Sequence, residues 1–331
     1  MRLQQNLYAR PPRISQRRRD ATTLGAAAHR YRIAPMAGAS EPNWFFTAGT
    51  PQRAAMVEWC PPTLSSKGYT NHSIIRRLAE MPPGLIIDVG AFDGSDAIAY
   101  GSAGQHRVWS FEPTPSKVDY IRERLRAASV AKSVKLFAMA LSNYSGKAHF
   151  MLSAPRHGYE KYLVNGSQQD MLVDATKNIT NPADLAKLVE VPVITLDNLL
   201  SEHSHVGGMP IHYMKVDAQG FDFHVLKGAE KTFRARRVGM MSFEFSPRLV
   251  PAPPGCAAPD DVRTCRLREA AEGLRYLQRL GADCIPCDDW TSVKSKTTAP
   301  RSIGDYMGAF YRRGSFYDNI VCNMSRVGQT P

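Results

Sequence analysis

Acidic side chains and one lysine stand where short apolar runs of the sequence end, the arrangement expected of groups presented at the rim of a sheet. Asp88 closes Gly84-Leu-Ile-Ile-Asp88-Val-Gly90, and Glu112 closes Val108-Trp-Ser-Phe-Glu112. Lys215 and Asp217 close Ile211–Val216, followed by Gln219 and Gly220. Between the first two lies the loop Gly90-Ala-Phe-Asp93-Gly94-Ser95-Asp96. Gly90 permits a tight turn, and Gly94 lets a ligand approach backbone N–H groups. Glu112 follows Asp88 by 24 residues (112 − 88), where a carboxylate can accept both hydroxyls of an adenosine ribose. The loop lacks the full Gly-x-Gly-x-x-Gly of a dinucleotide site. Asp88, Asp93 and Asp96 would repel a diphosphate and suit a ligand carrying an ammonium and a sulfonium, which favours S-adenosylmethionine over NAD.

The elements that must position these groups alternate. Strand patterns at 84–90, 108–112, 134–140, 147–152, 211–216, 238–245 and 283–287 are separated by helical ones. The helices are expected from Asp96 to Gly101, from a Ser116 cap to Ala128, after Thr195, over 225–233, and over 263–280. This order predicts an α/β fold with a mostly parallel central sheet and helices on both faces, its ligand crevice beyond the carboxyl ends of the strands. Residues 153–190 read as an irregular insert. Together with 247–290 they are expected on the acceptor side, with Tyr159, Lys161 and Tyr162 as candidate pocket residues.

Composition excludes other classes. The chain has 331 residues, 43% of them apolar, enough for a substantial core. No run approaches the ~18 apolar residues of a membrane span. The net charge is +12, but residues 1–40 hold eight arginines against Asp20, a net of +7 (8 − 1), so no basic stripe remains to mark a nucleic-acid site. Residues 1–60 read as a disordered basic extension or a transit peptide and 61–325 as the folded domain, cytoplasmic or organellar. Cys284-Ile-Pro-Cys287 has metal-like spacing without a second pair to complete it. Asn-x-Ser/Thr triplets such as those at Asn165 and Asn178 mean little without a secretory signal.

Five segments in this order resemble the FkbM family of S-adenosylmethionine-dependent methyltransferases, which has the class I Rossmann-like fold. They are IIDVGAFDGSDA (86–97), FEPTPSKVDYIRERL (111–125), ALSNYSGKAHF (140–150), VPVITLDNLL (191–200) and KVDAQGFDFHVLKGAE (215–230). The resemblance implies that Asp88, Gly90, Asp93 and Gly94 line the methionine part of the cofactor, that Glu112 holds the ribose, and that Ser142 lies against adenine. It also implies that Lys215, Asp217 and Gln219 face the methyl group and the acceptor. The family more often has Glu at positions 219 and 222, where this chain has Gln219 and Asp222. Transfer of the methyl group to a hydroxyl is the reaction implied, with Asp217 as first candidate for base. Lys215 serves only if burial lowers its pKa, and capping of the following helix is the competing role for Asp217. Sugars, lipids and other small molecules remain open as acceptors. The rival readings are an NAD-dependent oxidoreductase and a cofactor-binding module without turnover.

Overall fold

The computed structural model describes residues 55–60, 72–152, 171–172, 182–185, 187–253, 256, 259–287, 303–312 and 318–325. All belong to one compact unit, Ser40–Pro331. Tyr159, Lys161, Tyr162, Asn165 and Asn178, most of the 153–190 insert and most of the basic extension lie outside the described residues.

Runs of β-branched and aromatic residues form the central strands β1 (Leu85–Val89), β2 (Arg107–Phe111), β3 (Val134–Phe137), β8 (Ile211–Val216) and β9 (Val238–Phe245). Near the C-terminus β10 (Asp283–Pro286) and β11 (Asp318–Asn323) complete a seven-stranded sheet of order β10-β11-β9-β8-β1-β2-β3. Every neighbouring pair is parallel except the two that β11 makes, so the mostly parallel Rossmann-like α/β fold is the one found. The order reverses at β1, which lies between β2 and β8. Crevices open at such reversals because the connections leave the sheet on opposite faces.

Period-two alternation builds a core on each face. Ile87, Val89, Trp109, Phe111, Met214, Val216 and Phe243 pack with Leu267, Ala270, Leu274 and Leu277 of the helix Pro259–Leu280. Ile86, Val108 and Tyr213 pack on the other face with Ile74, Leu78 and Ile121. The apolar face of the long helix is thus part of the core. Met56 and Trp59 are buried in the second core, so the extension ends before 60 and residues 55–60 are part of the fold.

Other boundaries differ for identifiable reasons. The third strand stops at Phe137, and Ala140–Leu141 (β4) leaves for a second sheet with β5 (Gly146–Met151), β6 (Met171–Leu172) and β7 (Leu188–Ile194), in the order β4-β7-β5-β6. Part of the supposedly irregular insert is therefore sheet. The helix Pro115–Ala127 is preceded by Thr114, not capped by Ser116, because Pro115 has no N–H that would need an acceptor at the first turn. The expected single helix over 225–233 is two, Asp222–Lys227 and Glu230–Arg234. They break at Gly228, where a Cβ would run into the Ser142 carbonyl oxygen.

All six cysteines are paired: Cys60–Cys287, Cys256–Cys265 and Cys284–Cys322. Cys284 and Cys287 are three apart on extended chain, which sends them into opposite cores. They therefore cannot grip one metal ion. Cys284 and Cys322 are directly opposed on β10 and β11. Replacing both by alanine is expected to lower the free energy of unfolding by roughly 2–4 kcal/mol in urea titrations. A midpoint unchanged from wild type would mean that this edge is not held by the bridge.

Candidate active site

Strand register carries a polar row across the carboxyl ends of the sheet. Asp88 is opposite Ser110 on one side and Lys215 on the other, and Lys215 is opposite Ser242. The layer beneath is Val108, Ile86, Tyr213 and Met240. Within one pleat the sheet passes from core to ionisable groups, at the point where its strand order reverses.

Lys215 is the centre of the row. Its Nζ lies 2.9 Å from Asp96 Oδ2, 3.7 Å from Asp88 Oδ1 and 3.9 Å from Asp217 Oδ2, and donates to the Gly90 carbonyl at 3.4 Å. Burial pulls the lysine toward its neutral form, but Asp96, Asp88 and Asp217 more than reverse this and hold its pKa well above the ordinary value. Lys215 is thus a resident cation, and the burial-lowered pKa that a lysine base requires is not found. Asp88 is fully buried, which pushes its carboxyl up to about 6 despite Lys215. Its Oδ2 accepts from Ser110 Oγ at 2.8 Å, and its Oδ1 has no hydrogen-bond partner.

The loop after β1 is shaped by the protein's own contacts. Gly90 has φ 81°, and a Cβ there would run into the Asp217 carbonyl oxygen. Gly94 has φ 77°, and a Cβ there would press on Ile121 of the helix Pro115–Ala127. Both glycines are demanded by backbone geometry and packing. Asp93, expected to line the methionine part, is engaged elsewhere. Its carboxylate accepts from Ser95 N and Ser95 Oγ, both at 2.9 Å, and pairs with Arg124 at 2.8 Å. Glu112 is buried and bridges two loops, Oε2 accepting from Phe92 N at 3.0 Å and Oε1 from Thr114 N at 2.9 Å. Burial raises its pKa. Each carboxylate oxygen retains a second lone-pair direction, so a ribose hydroxyl could be added at this position.

After β8 the chain makes a strained turn, with φ 49° at Gln219 and 94° at Gly220. Asp222, marked in the sequence only as a departure from the family's more usual Glu, holds that turn. Its Oδ1 accepts from Ala218 N at 3.2 Å and its Oδ2 from Gly220 N at 3.0 Å. Burial and the nearby Asp217 push its carboxyl up to about 7. Asp217 does not cap the helix. Its backbone N–H donates to Val89 O at 3.0 Å, its Oδ1 accepts from Gln219 Nε2 at 2.8 Å, and its side chain is 33% exposed. Ser142 is buried at the junction of β4, β7 and Gly228, its N–H donating to Ile194 O and its Oγ to Asn143 Oδ1. None of these contacts joins it to the Lys215 cluster.

Lys215→Ala is expected to cost about 3–5 kcal/mol at pH 7.5, the penalty for stranding the buried Asp88 carboxylate. Part should return at pH 5, where the Asp88 carboxyl, pushed up to about 6, takes up a proton; an equal loss at both values would break the link to that acid. Asp222 gives a second pH test. The folded carboxyl keeps its proton to about pH 7, whereas an unfolded one releases it near 3.8. The folded chain therefore binds more protons in that window, and stability from this group falls as pH rises through it. Relative to Asp222→Asn, wild type should lose ground in urea midpoints between pH 4 and 7, and a constant gap would refute the assignment.

No curated protein sequence matches the chain. Among solved structures, the methyltransferase FkbM of Methylobacillus flagellatus KT is similar at 11% identity and TM-score 0.38, over 73% of this chain and 44% of that one. Cofactor-bound Rv0187 from MTB is similar at 15% identity and TM-score 0.36, over 92% and 91%. The O-methyltransferase TomG of Streptomyces achromogenes, in complex with SAM, is similar at 15% identity and TM-score 0.35, over 93% and 90%. The chain thus spans less than half the length of the first of these. The family described as the Methyltransferase FkbM domain matches residues 88–281, from the buried Asp88 through the end of the long framework helix. That is 194 of 331 residues (281 − 88 + 1), and by this match the chain belongs to the FkbM methyltransferase family.

Proposed function

We propose that this protein binds S-adenosylmethionine across the carboxyl ends of β1, β2 and β8 and methylates a hydroxyl group of a sugar, a lipid or another small molecule. The observation that carries this reading is the charged row at the reversal of strand order. Three carboxylates face one resident ammonium, a formal balance of −2 (1 − 3), and one buried carboxylate oxygen lacks a hydrogen-bond partner. Such a site attracts a cationic ligand and repels a diphosphate, which argues against NAD.

Bound S-adenosylmethionine supplies an electrophilic methyl on a sulfonium. The chain's own groups do the rest. Asp88 and Asp96 present negative charge to the cofactor's cationic portion, and Glu112 accepts from its ribose hydroxyls. Asp217, partly exposed and oriented by Gln219, takes the proton of the acceptor hydroxyl as its oxygen is methylated. Asp222 holds the turn that carries both residues. The Leu249 backbone lies against Gly220 and backs that turn. Lys215 keeps the carboxylates together and takes no proton. A second reading, cofactor binding without turnover, is favoured by Gln219, whose amide occupies one oxygen of Asp217 where the family more often has an acid.

Titration calorimetry with S-adenosylmethionine and NAD tests the donor. Binding of the first alone is expected, with Glu112→Ala weakening it by roughly 1–3 kcal/mol. An unchanged affinity would remove Glu112 from the ribose. Incubation with acceptor pools and methyl-labelled donor tests turnover, read as release of adenosylhomocysteine. Asp217→Asn should depress that release far more than it weakens donor binding, and no release from wild type on any pool would favour the silent module.

A further inference from the structure

Five of the ten asparagines begin an Asn-x-Ser/Thr triplet: Asn71, Asn143, Asn165, Asn178 and Asn323. Ser and Thr make up 40 of the 331 residues, so chance would place one two positions after about one asparagine in eight (40/331). The excess acquires meaning only if the chain meets the transferase that reads such triplets, in an oxidising lumen. The cysteines supply that condition. Three bridges span sequence separations of 227, 38 and 9 residues, and no thiol is left over. Bridges of this kind persist in oxidising compartments and are reduced in the cytosol.

We propose that the chain matures in the oxidising lumen of a secretory route and that Asn143 is an acceptor for an N-linked glycan there. Asn143 stands in the turn between β4 and β5, where Asn143, Tyr144, Ser145 and Gly146 are all exposed. Ser142 Oγ donates to Asn143 Oδ1 at 3.3 Å, which fixes the carbonyl limb of the amide. Nδ2, the atom that takes the sugar, is the other limb. Asn323 offers the contrast. Its Oδ1 accepts from Ser325 N at 3.0 Å and Ser325 Oγ at 2.7 Å, and Met324 between them is fully buried. That triplet closes the end of β11 and presents no open turn.

The chemistry requires two partners. In glycosylation, Asn143 Nδ2 bonds to the anomeric carbon of an oligosaccharide carried on a polyprenyl pyrophosphate. The bond from that carbon to the pyrophosphate breaks, the pyrophosphate leaves with its electron pair, and the amide proton passes to the transferase. In oxidation, each cysteine pair gives two electrons and two protons to the disulfide of a thiol oxidoreductase, which becomes a dithiol.

The test uses the full chain, made in insect cells behind a cleavable lumenal leader and, separately, in a reducing bacterial cytosol. Lumenal protein should contain no titratable thiol after denaturation without reductant. Digestion with peptide N-glycosidase in heavy-oxygen water should label Asn143 as aspartate. Occupancy is read on total chain as well as on the folded fraction, so a folding defect cannot hide it. Asn143→Gln should lose one glycan and keep its unfolding midpoint. Cytosolic protein should aggregate or unfold at lower urea concentration. The proposal is overturned if Asn143 stays unlabelled in bridged protein, or if six free thiols accompany a fold of equal stability. Neither readout depends on methyl transfer.

Discussion

The ammonium of Lys215 amid three carboxylates is the interaction on which the rest of the molecule depends. Removing such charges from water costs several kcal/mol for each ion, and only close, well-directed partners offset it. Asp88 and Lys215 face one another by register of β1 against β8, Asp96 comes from the helix Ser95–Gly101, and Asp217 from the turn beyond β8. A slip of one residue between β1 and β8 would turn one member of the pair into the apolar core. The same junction is locked in the backbone, where Asp217 N donates to Val89 O and the missing Cβ of Gly90 leaves room for the Asp217 carbonyl.

What the sequence made legible was local. Apolar runs ending in Asp88, Glu112 and Lys215 gave the central strands to within a residue or two, because buried parallel strands are short and rich in β-branched side chains. What it hid was pairing between distant segments. Arg124 reaches back 31 residues to Asp93 and braces the loop after β1. Asp222 looks like an ordinary first-turn acid until Ala218 and Gly220 are seen to fold over it. Ser110 is an unremarked serine until register sets it opposite Asp88. The second sheet escaped notice because its outer strands are brief, and β4 follows β3 so closely that the two read as one.

The internal cation also changes the electrostatic argument. Counting acids along the glycine loop treats each as available to a ligand, yet Asp93 is neutralised by Arg124 and the others share Lys215. What remains is a net excess of negative charge, concentrated where Asp88 is too buried to be solvated and has one oxygen that accepts no hydrogen bond and only faces Lys215 at 3.7 Å. The lysine limits repulsion among the acids while leaving the field of the site negative.

The two halves of the sheet are held by different means. Around β1, β2 and β8 the loops are fixed by hydrogen bonds, ion pairs and positive-φ turns, all reversible and sensitive to protons. At the other edge β10 and β11 are bridged covalently, and Cys287 beyond β10 is tied to Cys60 in the segment that carries Trp59 to Tyr213. A disulfide restricts the unfolded chain most when the closed loop is long, and the Cys60–Cys287 bridge closes nearly the whole described domain. Stability drawn from there needs no tightening of the crevice. The turn bearing Asp217 and Gln219, beyond the central strand β8, can therefore keep its strained backbone, because the cost of that strain is offset at one edge of the same sheet.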